Sequence, residues 1–485
     1  MPSLSASHRR PAIVLGLTAA VALTGATYAL TTADPGAAYH DQLAAQSKAL
    51  FGFGQPLDRE LDQPSFTGPG DQAVELAGGL TATLVSDKIG EDADMIALWP
   101  TDENPTYAII CNEIDGSGAG SPATVQRVRL SDGRVSDMVS GNVSCDPSHR
   151  TAWGTIVVGE EAGASGRLYE IIDPLNVTGV TINRATGVTS DPTHVVARTA
   201  LGQLSYEGVV FLDDGTTYYS DELRPSGGKP GGGIYKFSPS TPWHGSAPIS
   251  SLAQSPLASG SVAVLRLGSP TRSFADYGQG TNTGTGKWVL LTTPADPVTF
   301  NLAATALAAG GYTGYYRPED MDLDPVAAAD GTRRLCWNDT GNDQARQWGE
   351  TLCLTDTATA DTAFPGGYQP VVEPFVIGNP QLRMPDNLDF QPGTGILYLL
   401  MDATTSGENA AYTNDQVWAC LRDGADPDTL SDGCVRVMNL KDGAAEFTGI
   451  TFLADGKSFL IHLQHRTQDG RAVDRTTDQI LVTGL

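Results

Sequence analysis

Apolar positions in this chain come mostly in runs of about five residues between turn signals, with almost no helical spacing. Tyr107-Ala-Ile-Ile-Cys111, Gly154-Thr-Ile-Val-Val158, Gly208-Val-Val-Phe-Leu212, Lys287-Trp-Val-Leu-Leu-Thr292 and Gly395-Ile-Leu-Tyr-Leu-Leu400 are examples. Runs of this length, bounded by Gly, Pro and Asp, predict β-strands. Asp132-Gly133, Asp214-Gly215, Asp330-Gly331, Asp442-Gly443 and Asp455-Gly456 predict the tight turns between them. A single alanine-rich helix is predicted over Asn301 to Ala309, stopped by Gly310-Gly311. Many short strands without alternating helices imply an all-β fold, either paired sandwiches or a propeller. No repeat of fixed period decides between them. No Pro-rich or Ser-rich linker divides the chain, and the glycine-rich stretch from Pro225 to Gly233 reads as an inserted loop. The expectation is one β domain over residues 41–485.

Residues 1–40 have a different pattern. His8, Arg9 and Arg10 precede an apolar run from Ala12 to Leu30, and small residues follow around Thr31 to Ala38. That is the layout of a secretory signal peptide, by the general or the twin-arginine route, with a retained membrane anchor as the alternative. Export agrees with the cysteines, six in number, which are expected to pair in an oxidising compartment. Local spacing favours Cys111 with Cys145, Cys336 with Cys353 and Cys420 with Cys434, although six cysteines allow many other connectivities.

Charge narrows the partners. The chain of 485 residues has 56 acidic and 30 basic side chains, a net charge of −26. A nucleic-acid partner is excluded on that balance, because phosphate backbones require basic patches. Solubility explains part of the acidic surplus, and oxygen ligation of hard cations such as calcium is the sharper alternative.

Four places concentrate polar residues beside strands: Asn112-Glu113 with Asp115, Gly159-Glu160-Glu161 after Thr151-Ala-Trp-Gly-Thr155, Tyr206-Glu207-Gly208 with Asp221 and Glu222, and Arg317-Pro-Glu-Asp320 with Asp322 and Asp324. Successive strand residues face opposite ways, so Glu160 and Glu161 share a site only where the strand ends or bulges. Arg317 and Glu319 are two apart and share a face, while Pro318 puts that segment at a strand end or edge. Arginine beside metal-binding carboxylates suits phosphoryl transfer. Solvated strand ends and surface ion pairs remain the plainer readings of each item alone. The residues by themselves lead to an acidic all-β protein with donors suited to calcium.

Taken in order, these segments resemble the PhoX-type alkaline phosphatases. The resemblance rests on Asn112-Glu113, Trp153-Gly-Thr155 with Glu160-Glu161, Thr199-Ala-Leu-Gly202 with Tyr206-Glu207-Gly208, and Tyr218-Tyr-Ser-Asp221 with Ile234-Tyr-Lys-Phe237. Arg317-Pro-Glu-Asp320, Pro385-Asp-Asn-Leu388 with Met401-Asp402, and Glu446-Phe-Thr-Gly449 with Gln464-His465 complete it. It implies a six-bladed β-propeller with irregular insertions, an iron and calcium cluster, and hydrolysis of small phosphomonoesters outside the cytoplasm. By the same resemblance Glu160, Glu161, Glu207 and Glu319 are metal ligands, Asn112 and Glu113 join them, and Arg317 holds the phosphate. Gly159 stands where the family has a cysteine thiolate, and Arg466-Thr467-Gln468 alters the closing motif. Without its softest ligand, iron is disfavoured and an all-oxygen calcium site is expected. A monomer is expected. The rival reading is a non-catalytic, metal-stabilised propeller that binds a ligand or partner at its mouth.

Overall fold

The computed structural model describes residues 41–62, 65–118, 120–226, 229–268, 279–342, 347–364, 366–402, 414–422, 433–466 and 476–485. The signal-peptide reading of residues 1–40 lies outside them, as do Thr467 and Gln468 of the altered closing motif. No helix among the described residues is long and apolar enough to cross a membrane.

Strands dominate, and the predicted helix is present as Leu302–Ala308, with the Asn301 side chain accepting from the Ala304 N–H at its start. The strands form an all-β, propeller-like arrangement of five hydrogen-bonded sheets among the described residues. Six separate blades are not what the hydrogen bonding gives. A five-stranded and a four-stranded group are fused into one ten-stranded sheet, because Gly284–Leu290 pairs with Tyr368–Ile377 at Thr285 and Val371, and the tenth strand, Gly314–Tyr315, pairs beside Gly232–Pro239. Ring closure joins the two ends of the chain. Thr81–Ile89 pairs with the final strand, Thr477–Thr483, and Val74–Leu76 pairs with Cys434–Leu440.

The innermost strands position the site. We name them β1 (Ala93–Trp99), β2 (Cys145–Arg150), β3 (Tyr206–Phe211), β4 (Pro318–Leu323), β5 (Pro385–Phe390) and β6 (Glu446–Phe452). Each lies beside the next, and β6 lies beside β1. They are covered on both faces, so they read as nearly continuous buried runs and lack a polar alternation. Apolar side chains fill the wedges between sheets, as with Trp153, Tyr206, Tyr219 and Tyr235 in one cluster and Tyr398, Phe452 and Phe459 in another.

All six strands share one irregularity. The pairing register slips at Ala93/Ile96, Cys145/Ser148, Tyr206/Val209, Pro318/Met321, Pro385/Leu388 and Thr448/Thr451. A bulge re-aims the side chain next to it. The residue after each first slip position is Asp94, Asp146, Glu207, Glu319, Asp386 and, in β6, Gly449. Five inner strands therefore carry a carboxylate at one equivalent place. Gly449 has φ +55, and a Cβ there would meet the Asp94 carbonyl oxygen at 2.1 Å. The sixth place must remain bare so that β1 can close against β6.

The favoured cystine pairings are those observed: Cys111–Cys145, Cys336–Cys353 and Cys420–Cys434. None of the cysteines is free to ligate a metal.

Candidate active site

At the leading ends of the inner strands lies a cavity of about 180 Å³ whose lining is wholly polar in character. Asp94, Glu207, Glu319 and Asp386 reach it from the bulges, Glu113 and Glu161 from strand ends, Asp402 from just after the strand Leu397–Met401 and Glu446 from the start of β6. Arg317, Gln464 and His465 complete the wall. Asp146 lies against Glu207 just behind it, and no N–H donor reaches either of its buried carboxylate oxygens.

Two triads of carboxylates are close enough to share cations. One oxygen each of Glu207, Glu319 and Asp386 lie within 4.8 Å of one another, and so do those of Asp386, Asp402 and Glu446. Asp386 belongs to both. Glu207 and Glu319 are 4 % and 1 % exposed, so water cannot screen this repulsion.

Protonation directions show the same conflict. Burial pushes Asp386 up to about 8, against the pull of Arg317 and with repulsion from Asp402 and Glu113. Burial, then Asp146, raises Glu207 well above the carboxylate range. Burial raises Glu319 despite Arg317, and Asp386 adds to it. Glu446, Glu161 and Asp94 are raised by burial and then by Asp402, Glu222 and Asp146 respectively. Glu222 moves the other way: burial works upward on it, but a hydrogen bond with Glu161 and the charge of Arg317 outweigh burial. Bound cations remove the conflict. The donors are oxygens, crowded and short of partners, which is the chemistry of hard-cation ligation.

Arg317 is held by three carboxylates. Its Nε pairs with Glu222 and, at 2.8 Å, with Glu319 Oε1, and its Nη1 lies 3.5 Å from Asp402 Oδ2. The residue has φ +59, immediately before Pro318 opens β4. This left-handed conformation is costly for a side chain of its size. It turns the guanidinium back into the cavity beside Glu319, as two-residue spacing around a strand-starting proline predicts. Thr340 Oγ1 donates to Glu319 Oε1 at 2.9 Å and fixes that carboxylate from behind.

The structure brings Glu113, Glu161, Glu207, Glu319 and Arg317 together and leaves out two expected ligands. Glu160 ends the strand Ile156–Glu160 and points to the opposite face. There it accepts from Val143 N, Arg167 N and, at 2.9 Å, Arg184 Nε, which offset part of the burial that still holds it above the usual carboxylate range. Asn112 is also outside the cavity: its Nδ2 donates to the Ala123 carbonyl and Gln126 Oε1. Strand alternation explains both placements, because each of these residues precedes the one that turns inward. Glu222, left open by the sequence, is in the site through Arg317.

Asp94, Asp146, Asp386, Asp402 and Glu446 are site residues that the sequence reading did not assign. Asp386, Asp402 and Glu446 stand inside the quoted motifs, so the signal was present. Gly159 has a packing reason. A Cβ there would meet Pro147 Cγ at 2.4 Å and Leu168 Cδ2 at 2.9 Å, so neighbouring side chains occupy the space a thiolate would need.

Comparison with known proteins supplies the remaining context. The family model described as alkaline phosphatase PhoX matches residues 77–467. The structure of Pseudomonas fluorescens PhoX in complex with vanadate, a transition-state analogue, is similar over 88 % of this chain and 98 % of that one. The TM-score is 0.60 and the identity 16 %. An aldose sugar dehydrogenase from Streptomyces coelicolor scores 0.43 at 10 % identity, covering 84 % of this chain and 100 % of its own. A gluconolactonase from Xanthomonas campestris scores 0.40 at 13 % identity, covering 88 % and 96 %. No curated protein matches.

Proposed function

This chain belongs to the PhoX family of alkaline phosphatases, and from that premise we propose that its metal-dependent phosphomonoesterase activity resides in the carboxylate cavity at the leading ends of β1–β6. The observation that carries the reading is Asp386, shared by two carboxylate triads beside Arg317.

Electrostatics makes the metal dependence physical. A phosphomonoester is an anion, and eight carboxylates face this cavity against one arginine. Such an ester enters only when cations reverse the local field. Glu207, Glu319, Asp386, Asp402 and Glu446 are the residues to hold them, with Glu113, Glu161 and Asp94 around them. Cations bound there supply Lewis-acid stabilisation of the phosphoryl oxygens. Arg317 is pre-aimed by its carboxylate partners and its backbone, and donates N–H groups to an oxygen of the transferring group. Glu222 keeps its charge through Arg317 and so holds the guanidinium in that pose. The buried walls keep the interaction strong by excluding water.

Calcium is preferred over iron in this reading. Every donor is an oxygen, all six cysteines are in disulfides, and the Gly159 position is filled by its neighbours. The three disulfides and the family support export, with a small phosphate ester as substrate. Six blades, two of them fused, in a single domain over residues 41–485 is the architecture we favour, on the six bulged strands that follow one another around the axis. The non-catalytic propeller is not favoured, since binding a structural ion gives no reason to hold a strained arginine among its ligands.

Arg317→Ala tests the assignment. We expect kcat/KM for a chromogenic phosphomonoester to fall by roughly 10²-fold with metal content retained. Unchanged turnover would remove Arg317 from the site.

A further inference from the structure

A second group of buried oxygens sits apart from the catalytic cavity, in the sheet that contains β4. Asp339 ends the strand Arg334–Asp339, and Glu350 begins the strand Glu350–Ala358 directly opposite it in register. The two carboxylates are 4 % and 7 % exposed. Each has one N–H donor, Trp337 Nε1 at 3.2 Å for Asp339 Oδ1 and Gly280 N at 2.5 Å for Glu350 Oε2. Neither has a cationic partner among the described residues. Burial and then the charge of Glu350 raise Asp339, and burial pushes Glu350 up to about 7.

Asn282 completes the group from a different segment. It is 5 % exposed, its Nδ2 donates to the Gly314 carbonyl at 2.9 Å, and its backbone carbonyl accepts from Tyr315 Oη at 3.0 Å. Those two contacts fix its orientation. Its Oδ1 has no partner. Asn282, Asp339 and Glu350 all line one cavity of about 20 Å³, room for one ion or one water.

We propose that Asp339, Glu350 and Asn282 Oδ1 form a second cation site, of the calcium class, distinct from the catalytic cavity. A water molecule has two protons to give, and with both carboxyls ionised the group presents two carboxylates and an amide oxygen, all of them acceptors. Water would also leave two like charges buried without compensation, which costs several kcal/mol. A hard cation with oxygen ligands satisfies all three groups, with backbone carbonyls or water completing its shell. The site also has a mechanical setting. Thr340, next to Asp339, donates its N–H to the Arg317 carbonyl at 3.3 Å, and Gly341 donates to the Tyr316 carbonyl at 3.4 Å. An ion here braces the hairpin against which Arg317 holds its left-handed conformation.

The test compares the full chain with Asp339→Asn/Glu350→Gln, using calcium alone as the probe. Elemental analysis after dialysis is expected to find one calcium per chain fewer in the variant. Saturating calcium is expected to raise the melting temperature of the parent by about 3 to 5 °C more than that of the variant. In chelator the order reverses or levels, because the variant has lost two mutually repelling buried charges. Equal calcium counts and equal shifts would overturn the proposal and leave a buried water there. If the double variant does not fold, Asn282→Leu serves. It is expected to weaken the same calcium by about tenfold or more, and an unchanged calcium titration would overturn the site.

Discussion

The two ends of the same inner strands bear similar carboxylates with opposite fates. At the trailing ends, around a cavity of about 390 Å³, Asp320 Oδ2 accepts from Leu388 N at 3.1 Å, Asp322 Oδ2 from Phe390 N at 3.1 Å, and Asp389 Oδ2 from Phe452 N at 2.6 Å. Each of these carboxylates reaches from one inner strand to the backbone of the next and staples β4 to β5 or β5 to β6. At the leading ends, Glu207, Glu319 and Asp386 converge on one another, and Asp146 meets Glu207, another carboxyl, with no N–H donor on either oxygen. Residue type and burial are therefore poor guides to function here. What separates a structural carboxylate such as Asp322 or Asp389 from a candidate ligand such as Glu207 or Asp386 is whether a backbone N–H already occupies its oxygens.

That distinction can be broken by substitution. The largest effect is expected for Asp386→Asn, which removes the charge common to both triads. Phosphomonoesterase kcat should fall by roughly 10³-fold and metal content should drop with it, while melting of the metal-free chain changes little. Gly159→Cys sharpens the contrast between a position filled by its neighbours and one open to a ligand. Overpacking against Pro147 and Leu168 should cost about 1–3 kcal/mol of stability by denaturant unfolding, without iron being gained. A variant that binds iron tightly at no cost in stability would show that the thiolate position is still open. Asp389→Ala addresses the trailing end. It leaves the Phe452 N–H unpaired and should lower stability by about 1–3 kcal/mol with activity within about twofold of the parent.

How much of this was legible in the sequence follows from the same geometry. Strand class, most of the turn pairs, the helix at Leu302–Ala308 and the three local disulfides depend on short-range patterns and were readable, whereas Asp330-Gly331 ends the short helix Pro325–Ala329 and not a strand. The ring of carboxylates was not, since Asp94, Asp146, Glu207, Glu319 and Asp386 stand in equivalent places separated by connections of very different length. No fixed period exists for a sequence scan to find. Their common mark is the bulge that precedes each of them, a property of pairing and not of residue type. Glu160 shows the converse: a motif places it beside Glu161, but its face is set by alternation, and Arg184 approaches it from a distant turn. Asp402 and Glu446 were visible as motif residues, yet only the folded ring brings them to within ligand distance of Asp386.

The most direct test of the account is to strip the purified chain of metal with a chelator, then measure hydrolysis of a chromogenic phosphomonoester as calcium alone is restored. The account predicts no turnover without metal and recovery with calcium, with no requirement for iron. Turnover that survives complete metal removal would contradict it, as would calcium binding that restores nothing unless iron is added.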